Sequence, residues 1–225
     1  MPESWLQPGM ALVFDMDGVI VHSNPLHTEA WRLYNLRFGI DAGDALADRM
    51  YGRRNDQIVP DFFGPNLSAA EVAAHGNAKE ALYREMLEPV LAETLVPGVR
   101  ELLARHAGLP VGLATNAEPA NVDFILDRAA LRGYFRAIVN GDQVRHPKPH
   151  PEIYLRSAEL LSVAPANCIV FEDSFSGIAA ARAAGARIVG LRTTHDMLPG
   201  ADLEIDNFWS PKLGPWLQAQ ASKAG

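Results

Sequence analysis

Asp15 and Asp17 are the residues of this chain best placed to do chemistry. They close the run Leu12-Val13-Phe14-Asp15-Met16-Asp17-Gly18-Val19, a short apolar stretch ending in two carboxylates and a glycine. Side chains at i and i+2 of a strand point to one side. Two carboxylates held that way repel by about 4 kcal/mol at roughly 4 Å and an effective dielectric near 20. The arrangement calls for a cation between them or a proton on one. Mg2+, a hard oxygen-seeking ion, suits such a pair. One carboxylate can then serve as a nucleophile and the other as a general acid and base. The same residues also suit a polar strand end in which Asp17-Gly18 makes a turn.

Such a pair needs a scaffold. Residues 11–15 read as a buried strand. From about residue 26 to 93 the pattern is helical, with Thr28 to Phe38 amphipathic and Ala69 to Leu91 long enough for one or two helices. Strand-like runs then return at Val111–Ala114, Ala137–Val139, Cys168–Phe171 and Arg187–Leu191, separated by helical stretches near 119–131, 151–162 and 176–184. Apolar strands alternating with helices predict a parallel sheet covered on both faces. The fold expected is α/β, a doubly wound parallel-sheet, Rossmann-like core with an inserted helical cap domain. The core takes residues 1–24 and 95–225, and the cap 25–94. Pro25 and Pro97-Gly98 stand near the two crossings as hinge punctuation. The tail after Asp206 reads as a short final helix, and Trp5, Trp209 and Trp216 as packing residues.

Ligands of open α/β sheets bind beyond the carboxyl ends of the strands. Thr115 and Asn116 follow the second strand, and Glu172 and Asp173 follow the strand at 168–171. His146-Pro147-Lys148-Pro149 precedes that strand, with prolines that bias the lysine's backbone towards extended conformations and leave a cis Lys148-Pro149 peptide open. Each group has a plainer role available. Thr115, Asp173 and Ser174 are all suited to helix capping, and Lys148 to a solvated surface. Their order after successive apolar runs favours one shared corner.

Asp-x-Asp, then Thr, then Lys, then Glu-Asp resembles the haloacid dehalogenase superfamily of phosphotransferases, over essentially the whole chain. Asp15-Met16-Asp17-Gly18-Val19-Ile20 and Phe171-Glu172-Asp173-Ser174-Phe175-Ser176-Gly177-Ile178 are similar to its beta-phosphoglucomutase-like branch, which carries a small helical cap after the first strand. The resemblance implies that Asp15 attacks a phosphate monoester and Asp17 protonates the leaving oxygen, for which Asp17 needs a raised pKa. It implies Mg2+ held by Asp15, the Asp17 main-chain carbonyl and Asp173, with Glu172 a further or water-mediated ligand. Thr115, Asn116 and Lys148 would hold the phosphoryl oxygens. In the cap, His27, Arg54 (in preference to Arg53, after Gly52) and Lys79, with Tyr83 one turn on, match substrate-facing positions.

Two departures stand out. His22 replaces a common aspartate or threonine near the hinge. The loop Asn116-Ala117-Glu118-Pro119 lacks the small polar and basic residues with which sugar phosphomutases of the branch hold a second phosphate. The favoured expectation is therefore a phosphatase for a small phosphorylated metabolite, such as a sugar phosphate. The alternatives are a beta-phosphoglucomutase and a non-catalytic phosphate-binding protein on the same fold.

Composition is ordinary for a soluble globular protein. The chain has 225 residues, 48% apolar and 21% charged, enough to bury a sizeable core. A net charge of −7 argues against a nucleic-acid partner. No apolar stretch reaches membrane-spanning length. Met1-Pro2-Glu3-Ser4 lacks a signal-like start, so a cytoplasmic protein is expected, and a monomer is the simplest state. Cys168 stands alone in an apolar run and reads as a core residue.

Overall fold

The computed structural model describes residues 4–41, 43, 46, 50 and 53–222. Its core is a six-stranded sheet in which every pairing is parallel. In chain order the strands are β1 (Ala11–Phe14), β2 (Val111–Ala114), β3 (Ala137–Val139), β4 (Cys168–Glu172), β5 (Arg187–Leu191) and β6 (Leu203–Ile205). Their spatial order is β3-β2-β1-β4-β5-β6. β1 lies between β2 and β4, with Val13 opposite both Gly112 and Val170. The chain winds outward from β1 in both directions, so the crevice where the winding reverses opens at the carboxyl end of β1. Asp15 follows directly.

Alternation along β1 divides the core. Leu12 and Phe14 face one layer with the helices α5 (Val99–Arg105), α6 (Pro119–Arg128) and α9 (Leu213–Ala221). Ala11 and Val13 face the other with α7 (Glu152–Leu161) and α8 (Phe175–Ala183). Buried Cys168 belongs to this second layer. All-apolar strands follow from having both faces covered.

Between β1 and β2 lie α1 (Asn24–Leu36), α2 (Asn55–Phe63), α3 (Ala69–Leu87) and the short α4 (Leu91–Thr94), which form the cap. Trp31, Tyr34, Leu46, Met50, Ile58 and Val59 give it a small core of its own. α3 starts at a capping box: Ser68 Oγ accepts from Glu71 N–H, and the Glu71 side chain accepts from Ser68 N–H. The two chain crossings run side by side. His22 N–H donates to Thr94 O at 2.7 Å, and Val96 N–H to Ile20 O at 3.0 Å.

Several local expectations are corrected. Pro25 marks the start of a helix just past the crossing. It sits in the first turn of α1, where its missing N–H costs nothing, and the helix starts earlier than Thr28. β6 and α5 escape the sequence pattern, since three and seven residues are too short for a clear period. Trp209 is 66% exposed, lying over Gly98 at the surface, rather than packed. Gly52 falls outside the described residues. Among those that are described, no helix is long and apolar enough to cross a membrane.

Candidate active site

The corner foreseen from the strand ends is assembled. Asp15, Asp17, Thr115, Asn116, Lys148 and Asp173 line one pocket together with His27, Arg54 and Lys79 of the cap. Asp15 is buried, its N–H bonded to Phe171 O. Lys148 reaches it from the loop before α7. The Lys148 ammonium donates to Asp15 Oδ1 at 2.5 Å, Glu172 Oε1 at 2.7 Å and Ala114 O at 3.0 Å. All three of its protons are used, which permits a lysine this buried to stay charged. The Lys148-Pro149 peptide is cis.

Glu172 departs from its expected part as a metal ligand. Its two oxygens accept from Lys148 Nζ, Tyr154 Oη, Asp173 N–H, Ser174 N–H and Ser174 Oγ. Five donors saturate a carboxylate that offers about four lone pairs. Glu172 therefore orients Lys148 and the start of α8 and presents no oxygen to the pocket. A Cβ on Gly177 would collide with it, at 1.7 Å from Oε1. Asp173 has the opposite character. Its Oδ2 accepts from Asn24 Nδ2 and from Thr194 Oγ1, while the residue itself lines the pocket.

Gly18 makes this approach possible. It lies at φ +77°, and a Cβ there would stand 1.9 Å from Asp173 Oδ2. The turn it allows folds residues 16–21 back on themselves, with Gly18 N–H donating to Val21 O at 2.7 Å. Asp15 and Asp173 both line the pocket, and carboxylate oxygens are the donors that hard divalent cations take. The electrostatics fit. Burial, aided by Glu172 and Asp17, pushes the Asp15 carboxyl up to about 7 despite Lys148. Burial, with Glu172 and Asp15, pushes Asp173 well above the usual range. Both are carboxylates short of positive charge.

Asp17 reverses an expectation. Burial acts to raise its pKa, but His27 and the Ser23 hydroxyl outweigh that and hold it below the usual value. Ser23 Oγ donates to Asp17 Oδ1 at 2.5 Å, and His27 Nε2 lies 3.3 Å from the same oxygen. The His27 ring is itself pinned, stacked on Tyr83 at 3.7 Å between centroids. Thr115 both lines the pocket and supports its loop, since its Oγ1 accepts from Ala117 N–H.

The cap contributes more than the sequence suggested. Lys79 is no solvated helix lysine. It is buried, 2.5 Å from Glu80 Oε1 and 3.1 Å from His27 Nδ1. Arg54 Nη1 donates across to Gly141 O in the core at 2.9 Å, while Arg53 turns to Asp61. Glu80, Asn121, Asn55 and Arg84 were missed. Glu80 accepts from Asn55 and Asn121, and Arg84 donates to both Glu118 and Asn121 at 2.6 Å. A polar ladder thus runs Asp17–His27–Lys79–Glu80–Asn121–Arg84–Glu118, passing between core and cap.

Burial opposes ionisation of Glu80, yet Lys79, His27 and Asn121 hold its carboxyl at about 2. A depressed carboxylate stabilises the fold above its ordinary value, and that stability is lost as pH falls from 4.5 towards 2. Glu80→Gln should destabilise the protein at pH 7 by on the order of 3 kcal/mol. The deficit should shrink at pH 3. Urea unfolding of both proteins at the two pH values checks it.

A parallel sheet with an inserted cap thus gathers buried Asp15, Lys148 and Asp173 in one pocket, with Asp17 beside them. The family model of the haloacid dehalogenase-like hydrolases matches residues 10–185, and the chain belongs to that family. It is 35% identical to the fructose-1-phosphate phosphatase YqaB of Escherichia coli, over 80% of this chain and 95% of that protein. It is 37% identical to a phosphorylated carbohydrates phosphatase of Thermotoga maritima, over 80% of this chain and 84% of the relative. The crystal structure of a beta-phosphoglucomutase from Clostridium difficile superposes with a TM-score of 0.83, at 25% identity, covering 97% and 99% of the two chains.

Proposed function

We propose that this enzyme is a magnesium-dependent phosphatase that hydrolyses a small sugar or polyol phosphate through an aspartyl phosphate on Asp15. The relatives act on phosphorylated sugars by name, and the pocket offers both cap and core polar groups to such a leaving group. An Asp15 oxygen attacks phosphorus and the ester P–O bond breaks. The leaving oxygen takes a proton held by the Asp17–His27 pair. Asp17, left as a carboxylate by that transfer, then takes a proton from water, whose oxygen attacks phosphorus and frees Asp15 and phosphate. Thr115, the Asn116 amide and Lys148, which exchanges its bond to Asp15 for one to the phosphoryl group, hold phosphoryl oxygens, and the cap excludes bulk water. Bound magnesium, on Asp15, the Asp17 carbonyl and Asp173, would neutralise phosphoryl charge.

One observation favours hydrolysis over mutase chemistry. The cations of the pocket wall are already matched with acceptors. Among those the cap supplies, Lys79 pairs with Glu80, Arg53 with Asp61, and Arg54 with Asp56 and Gly141 O. Glu118, which lines the pocket, is paired with Arg84 and is not the bare negative charge its place in the loop suggested. The deciding experiment supplies beta-glucose 1-phosphate, Mg2+ and a trace of glucose 1,6-bisphosphate. Phosphate release without isomer supports the proposal. Rapid formation of glucose 6-phosphate with little release makes the protein a mutase.

The assigned ligands make a second expectation. Asp173→Asn should raise the Mg2+ concentration for half-maximal phosphate release by about tenfold or more. Glu172→Gln should lower turnover, through Lys148, with little change in that concentration. Mg2+ titrations of the two variants separate a ligand from its supporting residue. The same reading makes the enzyme a cytoplasmic monomer serving a small metabolite, with neither nucleic acid nor membrane as partner.

A further inference from the structure

The loop that carries Lys148 has a second, outer face. Inward, Lys148 enters the active site. Outward, His146, His150 and Glu152 gather their side chains, with imidazole centroids 4.6 Å apart. His146 Nδ1 lies 2.9 Å and His150 Nδ1 3.9 Å from Glu152 Oε2, and the ligand atoms of the three residues all fall within 4.8 Å of one another. A tetrahedral zinc ion, with bonds of about 2.0–2.1 Å, spaces its ligand atoms about 3.3–3.4 Å apart. The two measured separations bracket that value, so small side-chain rotations complete the set.

We propose that His146, His150 and Glu152 form a binding site for a borderline transition-metal ion, zinc by preference, separate from the magnesium site and on the opposite face of the Lys148 loop. Two imidazole nitrogens and one carboxylate oxygen are a donor set for zinc rather than for magnesium, which prefers oxygen. The carboxylate is already oriented. Glu152 Oε1 accepts from Arg145 N–H at 2.9 Å and Oε2 from His146 N–H at 3.1 Å. The Arg145 and His146 contacts hold the Glu152 carboxyl at about 2, so it is anionic across the neutral range. Supporting bonds of this kind raise affinity by fixing a ligand's direction.

The backbone is constrained as well. Pro147, Pro149 and Pro151 alternate with the other residues of the loop, and His150 N–H donates to Pro147 O at 3.0 Å. Both histidines are at least half exposed, which leaves an entry path and room for water in the remaining position. The ion displaces the proton between His146 and Glu152, and exchanges the 3.2 Å bond from Glu152 N–H to His150 Nδ1 for a metal bond. It then ties the segment before Lys148 to the segment after it, and stiffens the support of the lysine.

Calorimetric titration of the full chain with Zn2+, under Mg2+ concentrations that saturate phosphate release, tests this. Wild type, His146→Ala and His150→Ala are compared. These are surface substitutions, and unchanged phosphate release without zinc shows that each variant is folded. One zinc ion per chain, bound about tenfold or more weakly in each variant, is the expected result. Cobalt titrated as a probe should give visible absorption from nitrogen ligation in wild type and lose it in both variants. No saturable zinc binding, or a weakening of less than tenfold in either variant, overturns the site.

Discussion

Asp15→Asn abolishes phosphate release, with a fall of about a thousandfold or more, because the amide cannot attack phosphorus. The fold should survive. Asparagine fills the same volume, and losing the charge removes repulsion from Glu172 and Asp17 that helps push Asp15 up to about 7. The Lys148 ammonium can still donate to an amide oxygen and to Glu172. Single-turnover phosphate release and thermal unfolding, measured together, separate loss of chemistry from loss of structure. Substantial residual turnover from a well-folded Asp15→Asn protein would reject a covalent route through this residue.

Lys148→Ala acts on both activity and stability. The side chain is buried and holds Asp15, Glu172 and the Ala114 carbonyl at once. Removing it leaves two buried carboxylates facing each other without their cation, a change that costs about 3–5 kcal/mol when one partner of a buried pair is lost. Loss of a charge that stabilises the transferring group costs a further factor of about 10²–10³ in turnover. Added Mg2+ should recover part of the stability, since it supplies positive charge to the same carboxylates, but little of the rate. Urea midpoints with and without Mg2+, beside kcat, test the pair of effects. A Lys148→Ala protein as stable as wild type in the absence of metal would mean that Asp15 is protonated there and that the ion pair is not what holds the corner.

The residues legible in the sequence share a local marker. Asp15, Thr115 and Asp173 follow apolar strands, and Lys148 lies between prolines, so chain position alone nominates them. The order of the strands was enough to bring them to one crevice. Glu80, Asn121 and Arg84 carry no such marker. On a helix a charged residue looks the same whether it faces water or a neighbouring domain, and only docking of α3 on α6 separates the two cases. Lys79 lines the pocket as its place in the cap suggested, while its contact with Glu80 carries no marker, since residues one apart on a helix do not ordinarily face each other. Glu172 is legible by position but not by its partners. Its position after β4 is visible in sequence, whereas the five donors that saturate it come from distant segments and from its own turn. The lowered pKa of Asp17 likewise depends on His27, ten residues away and across the hinge.

The paired crossings have a consequence for modularity. Because Ile20 and His22 hydrogen-bond to Val96 and Thr94, the chain leaves the sheet layer and returns to it through the same doorway. To the core, the whole cap is a single long excursion between neighbouring points, and the entropy of closing such an excursion grows only slowly with its length. Cap length can therefore change at this doorway at small entropic cost, while the His27–Asp17 and Glu80–Asn121 contacts keep the cap coupled to the chemistry at the strand ends.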